Sequence, residues 1–319
     1  MRLLAQVRAR CAQVARRARY VHIQGGHIPA YAASLPLAQA VCPAIDPATH
    51  YLGHGDDTAA FLLTLDAINF GSGYFPRLRK RPGLSGYFTI AASLNDHFRA
   101  HGPLSAPQLT ALTPEDCARI FAQDLADPAM HELMGHFAIA LNDLGRFLLE
   151  RFGGSFRALV EAAGGSAERL AGLLSAMPYF NDIEAYDGLE VPFFKRAQLS
   201  AADLSIAFGG QGLGRFTDLD QLTIFADNLV PHVLRVDGVL AYEPGLAARI
   251  DGEELIPAGS PEEVEIRACA VHAVELIVAE LRRSGQEVTA HKLDYLLWNR
   301  GHEPQYKARP RHRTRTVYY

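Results

Sequence analysis

The sequence lacks most of the features that announce a function outright. No apolar run reaches the roughly 20 residues of a membrane span, and the start lacks the unbroken apolar stretch of a secretory signal. The four cysteines, Cys11, Cys42, Cys117 and Cys269, stand far apart without paired spacing. That disposition suits reduced thiols in a cytoplasm better than a disulfide framework or a zinc site. Positive charge is not in excess: the net charge is -4, which argues against a general binder of polyanions and against a stable nucleic-acid partner. Only 21% of the 319 residues are charged and 49% are hydrophobic, so material for a large core is ample. No repeat or low-complexity linker divides it. The expectation is a soluble, cytoplasmic protein, one domain over 1–319, with no membrane partner.

Several familiar motifs are approached and missed. His131-Glu132-Leu133-Met134-Gly135-His136 imitates the zinc-protease signature, but its histidines are five residues apart and diverge by roughly 140° around a helix. Gly209-Gly210-Gln211-Gly212-Leu213-Gly214 imitates a phosphate loop, yet it follows a helical pattern and continues Arg215-Phe216 where Lys-Ser/Thr is required. It is expected to be a helix-terminating loop. No Gly-x-Ser-x-Gly elbow and no Cys/His pairing supports nucleophilic catalysis. No metal or cofactor is implied.

Helical patterning is what the chain does have. Leu4, Val7, Cys11 and Val14 are helically spaced over about 2–19, in a stretch whose arginines also resemble an amphipathic presequence. Thr58–Phe70 is apolar almost all round and reads as a buried helix stopped at Gly71-Ser72-Gly73. The loop after it, rich in Gly, aromatics and basic residues, suits a surface crossing or a pocket rim. Helices follow over 89–102, from Thr113-Pro114-Glu115-Asp116, over 131–152, from Ser155, from Ser166 and over 191–208. Residues 178–191 read as a turn-rich connector. Val233–Tyr242 reads as a short extended piece with a turn at Asp237-Gly238. Ser260-Pro261-Glu262-Glu263 starts a long helix, and 289–301 a short one before a basic tail. The fold class expected is mainly α, a multi-helix bundle with at most a minor β-hairpin.

Two places carry chemistry. In Phe225-Ala226-Asp227-Asn228-Leu229-Val230-Pro231 a lone carboxylate precedes a helix start. Asp227 is therefore either a helix cap or a catalytic group held by capping. In Phe193-Phe194-Lys195-Arg196, two aromatics abut two cations within an apolar pattern, so a buried Lys195 would need an anion. A helix, a Gly-rich turn and a capping Asp together resemble the core of helix-hairpin-helix DNA glycosylases.

A second resemblance spans nearly the whole chain. His50-Tyr51, Leu65-Asp66-Ala67-Ile68-Asn69-Phe70, Gly153-Gly154-Ser155-Phe156, Phe194-Lys195-Arg196-Ala197-Gln198 and Phe225-Ala226-Asp227 occur in order. Glu263-Val264-Glu265-Ile266-Arg267, Leu293-Asp294-Tyr295 and the ending His312-Arg313-Thr314-Arg315-Thr316-Val317-Tyr318-Tyr319 continue the series. Together they resemble the queuosine salvage family, the queuosine 5′-phosphate N-glycosylases. The resemblance implies a mainly helical fold related to DNA glycosylases, and hydrolysis of the N-glycosidic bond of queuosine 5′-monophosphate to queuine and ribose 5-phosphate. It makes Asp227 the central carboxylate, as general base, fixed negative charge or nucleophile. His50 and Phe225 would contact base or sugar, Asp294 the queuine side chain or ring edge, and Lys195 the phosphate. Phe194 adjoins this group, and Arg196, Arg313, Arg315 and Tyr319 are further phosphate candidates. The apolar ending of the tail predicts that it docks on the body. Two other functions stay open: a non-catalytic binder of queuine or modified tRNA, and a DNA base-excision enzyme.

Overall fold

The computed structural model describes residues 2–319. Its first part is α1 (Leu3–Arg17), strand β1 (Val21–Ile23), α2 (Ile28–Ser34), α3 (Asp56–Ala67), α4 (Gly86–His101), α5 (Ala106–Thr110) and α6 (Pro114–Phe121). The long α7 (Pro128–Phe152), then α8 (Phe156–Ala162) and α9 (Ala167–Leu174), lead to strands β2 (Ile183–Tyr186) and β3 (Leu189–Pro192). The remainder is α10 (Lys195–Ala207), α11 (Leu229–Val236), β4 (Leu240–Tyr242), α12 (Pro244–Asp251), α13 (Pro261–Arg283), α14 (Ala290–Arg300) and α15 (Pro304–Lys307). The class is mainly α with two small antiparallel strand pairs, β1–β4 and β2–β3. No helix among the described residues is long and apolar enough to cross a membrane.

Helix starts follow the capping residues. The Ser85, Ser155, Ser166 and Ser260 hydroxyls accept N–H groups from the first turns of α4, α8, α9 and α13, and Thr113 with Asp116 forms a capping box on α6. On α1, Leu4, Val7, Cys11 and Val14 are buried, and this helix packs along α13 with Arg8 paired to Glu275 at 2.9 Å. The arginine-rich start is thus a packed helix. One buried cluster extends from Leu4 to Tyr306, with α13 buried over most of its length.

Three local expectations are corrected. The hairpin lies over 183–192, mostly within the expected connector, and not at Asp237-Gly238: Asp187 (φ 44°) and Gly188 (φ 76°) turn β2 into β3, the two positive-φ positions of a tight hairpin turn. Residues 229–236 are helical; Asp237 ends α11 and Gly238 (φ 76°) follows in the left-handed position common after helices. The helix expected over 191–208 starts only at Lys195, because Val191-Pro192 close β3. A run buried on every side carries no period that separates strand from helix. Phe194, in the left-handed region at φ 50°, makes the switch, a conformation that costs a bulky residue about 1 kcal/mol or more.

The tail docks on the body. His312, Thr314, Thr316 and Tyr319 are buried, and the Ile256 N–H donates to the Arg313 carbonyl at 2.8 Å. Gly73 makes room: a Cβ there would stand 2.2 Å from the Thr314 carbonyl oxygen. The Gly209–Gly214 stretch follows the end of α10, exposed over Gly209–Gly212 and buried at Leu213 and Gly214, and does not line the large cavity. Of the two pseudo-motif histidines, His131 is exposed and His136 hydrogen-bonds the Tyr179 hydroxyl at 2.8 Å.

Candidate active site

The segment Leu222–Ala226 is buried and in neither strand pair. Its main-chain groups must therefore be satisfied by side chains, and three elements supply them. Gln198 on α10 accepts the Thr223 N–H at 2.9 Å, Asp294 on α14 accepts the Phe225 N–H at 2.9 Å, and Arg267 on α13 donates to the Ala226 carbonyl at 3.0 Å. Asp227 comes next. Its Oδ1 accepts the N–H groups of Leu229 at 2.7 Å and Val230 at 3.4 Å at the start of α11. Its Oδ2 has no hydrogen-bond partner among the described residues, and the residue is only partly buried because it faces a cavity. The cap and the cavity-facing carboxylate are one arrangement.

That cavity holds about 530 Å³. Its walls come from the loops 43–50 and 69–88, one face of α10, residues 225–229, α14, and the tail through Arg311 and Tyr319. Lys195 is buried, with its Nζ 3.4 Å from the Asn69 carbonyl. Burial pulls its pKa down, and among nearby charges Asp227 opposes that most strongly. Asp294 is buried; desolvation first, then the Asp227 charge, pushes its pKa well above the carboxylate range. Asp294, where burial favours the protonated carboxyl, and Asp227, with one free oxygen, are two acidic groups with different chemical capacities.

The rest of the wall suits a flat, partly polar ligand. Phe225 lies 6.1 Å from Tyr295 between ring centroids, and Trp298 lies 4.2 Å from His302 with the two rings tilted at 57°. His50 is buried and hydrogen-bonded through Nε2 to the Tyr87 hydroxyl at 3.0 Å. Burial lowers its pKa, so the neutral ring is favoured. Tyr319 is anchored at both ends: its hydroxyl donates to Glu263 at 2.9 Å, and its main chain accepts the Gly71 N–H at 2.9 Å.

Of the ten sequence-derived candidates, Asp227, His50, Phe225, Asp294, Lys195 and Tyr319 meet at this cavity. Phe194 and Arg196 do not line it. The Arg196 guanidinium is buried between the Phe70 and Phe180 rings, at 4.9 and 4.6 Å, and donates to the carbonyls of Asp66, Ala67, Tyr179 and Val317. With both terminal nitrogens taken by main-chain carbonyls, it fastens the tail to α3 and is not free for a phosphate. Arg313 and Arg315 point to surface carboxylates, Glu253 at 3.0 Å and Glu132 at 3.3 Å. The cation that sequence reasoning passed over is Arg311, which lines the cavity and makes no hydrogen bond or ion pair among the described residues. Asp203 was missed as well, although Lys195, Leu199, Asp203 and Ile206 recur at helical spacing along the cavity face of α10.

The chain matches the family described as queuosine salvage protein over residues 49–319. It is 38% identical over 312 residues to a queuosine 5′-phosphate N-glycosylase/hydrolase of Sphaerobacter thermophilus, covering 96% of this chain and 95% of the relative. Proteins of the same description from Dictyostelium discoideum (34% over 264 residues, 82% of this chain and 78% of the relative) and Mus musculus (36% over 246 residues, 74% and 72%) are also similar.

Proposed function

The chain belongs to the queuosine salvage protein family, and we propose from this that it hydrolyses the N-glycosidic bond of queuosine 5′-monophosphate, releasing queuine and ribose 5-phosphate. The observation that carries the chemical reading is Asp227: one oxygen is held by two helix N–H groups while the other is open to a cavity of nucleotide size.

Queuine is a deazapurine, so carbon replaces the five-ring nitrogen that ordinary purine glycosidases protonate. Most of the barrier must then be lowered on the sugar side. A fixed carboxylate beside the anomeric carbon stabilises the developing oxocarbenium charge and can hold the attacking water through its free oxygen. Asp294, kept protonated by burial and by Asp227, supplies a proton donor to the pyrimidine ring of the leaving base. Phe225 and Tyr295 cover the base, and the His50–Tyr87 pair contacts its substituents. Lys195 and Arg311 converge on the phosphate, since a dianion calls for more than one cation.

Incubation with queuosine 5′-monophosphate, with queuine followed by chromatography, tests the reaction. No release by the folded protein contradicts it and favours a non-catalytic queuine binder. A gel shift with damaged duplex DNA addresses the base-excision alternative.

A further inference from the structure

A second acidic pair borders the cavity away from Asp227. Asp203 lies eight residues beyond Lys195 on the lining face of α10, roughly 12 Å along the helix axis. Behind it is Asp66 of α3, fully buried, with no main-chain N–H and no basic side chain hydrogen-bonded to its carboxylate among the described residues. The Ser200 hydroxyl lies within hydrogen-bond reach of Asp66 and of the Arg196 carbonyl, the latter at 3.0 Å. What faces Asp66 is Asp203, and two carboxyls can hydrogen-bond each other only when one of them holds a proton. Burial raises both pKa values, Asp203 further through the Asp66 charge; two like charges in contact in an interior do not both ionise. The pair then carries one negative charge.

No side-chain cation is paired with Asp203 among the described residues: it makes no ion pair, and Lys195, whose charge acts on it from about two turns along the helix, has Asp227 as its foremost partner. A fold does not keep a net charge on a cavity wall without cost, so a cationic ligand group is what this wall fits. Queuine has one such group, the secondary amine that joins its cyclopentenediol to the ring. We propose that Asp203, backed by Asp66, binds this amine and makes it a specificity determinant of the substrate. The inference rests on the proposed reaction and adds to it the means by which queuine is told from an unsubstituted deazapurine. Asp203 is a binding group and does not touch the reacting bond.

The test compares queuosine 5′-monophosphate with 7-deazaguanosine 5′-monophosphate, which lacks the side chain, in the wild type and in Asp203→Asn. The variant is expected to lose at least about tenfold in kcat/KM on the first substrate, chiefly through KM, and to leave the second unchanged; tenfold corresponds to about 1.4 kcal/mol. An equal loss on both substrates, or no loss on either, overturns the assignment. Should the variant not fold, the wild type alone decides through competitive inhibition by two isosteric bases. The 7-aminomethyl base is expected to bind at least about tenfold more tightly than the 7-ethyl base, and equal inhibition constants overturn the proposal. Base release from neither nucleotide by the wild type contradicts the reaction itself, whereas release from both without discrimination contradicts only the role of Asp203.

Discussion

Arg267 donates Nε–H to the carbonyl of Ala226 at 3.0 Å, the residue immediately before Asp227. Its other two nitrogens clasp Asp182 at 2.9 and 2.6 Å, and Asp182 in turn accepts the N–H of Lys195 at 3.2 Å. One fully buried ion pair therefore sets the main-chain positions of the two charged groups that face each other in the cavity. Replacing Arg267 by Met leaves Asp182 buried and unpaired. The expected loss is about 3–5 kcal/mol of stability, read from denaturant unfolding. A loss below about 1 kcal/mol contradicts this account of the pair.

Arg311 separates phosphate binding from the remainder of the site. Arg311→Ala is expected to lower kcat/KM for queuosine 5′-monophosphate by about 10- to 100-fold, the worth of a charge-assisted hydrogen bond. The nucleoside without phosphate should be hydrolysed by wild type and variant alike. Equal losses on nucleotide and nucleoside would assign Arg311 to the architecture of the tail.

Much of this arrangement was legible in the sequence, and the parts that were not have identifiable causes. Capping residues marked α6, α8, α9 and α13 because a Ser or Thr with its first-turn partner is a local signal. The segment 191–194 was misread because its side chains are buried throughout, which erases the periodicity that distinguishes strand from helix. Asp227 stood out as a carboxylate in an apolar run before a helix. Arg196 looked equal to Lys195 by adjacency, but residues one apart on a helix point about 100° from each other. Lys195 faces the cavity while Arg196 is enclosed by Phe70, Phe180 and main-chain carbonyls. Arg311 was hidden among tail arginines, because only the docked path of the tail distinguishes the one lining the cavity from those paired with surface carboxylates.

The Asp66–Asp203 pair has a consequence for stability. A carboxyl whose pKa is raised on folding holds a proton in the native state that the unfolded chain has released. Native stability therefore falls as pH rises from the unfolded value of 3.8 through the raised folded value. Asp66→Asn removes the share of this dependence that belongs to Asp66. Its stability relative to wild type should rise between about pH 4 and pH 7, with a slope of at most ~1.4 kcal/mol per pH unit. Urea unfolding across that range measures it; a flat or falling difference would show that the two carboxyls are not sharing a proton.

Asp294→Asn keeps an acceptor for the Phe225 N–H but removes the carboxyl proton. The expected result is a fall in kcat of about 10²-fold or more with little change in thermal stability. A change confined to KM would make Asp294 a base-binding group alone.

The central claim is that Asp227, fixed by the N–H groups of Leu229 and Val230, carries the hydrolysis. Asp227→Asn keeps a side-chain oxygen for those two donors and removes the charge. Single-turnover release of queuine from queuosine 5′-monophosphate by the folded variant should be slower by about 10²–10³-fold or more, with queuine still bound. Release at or near the wild-type rate by a folded Asp227→Asn protein would contradict the account.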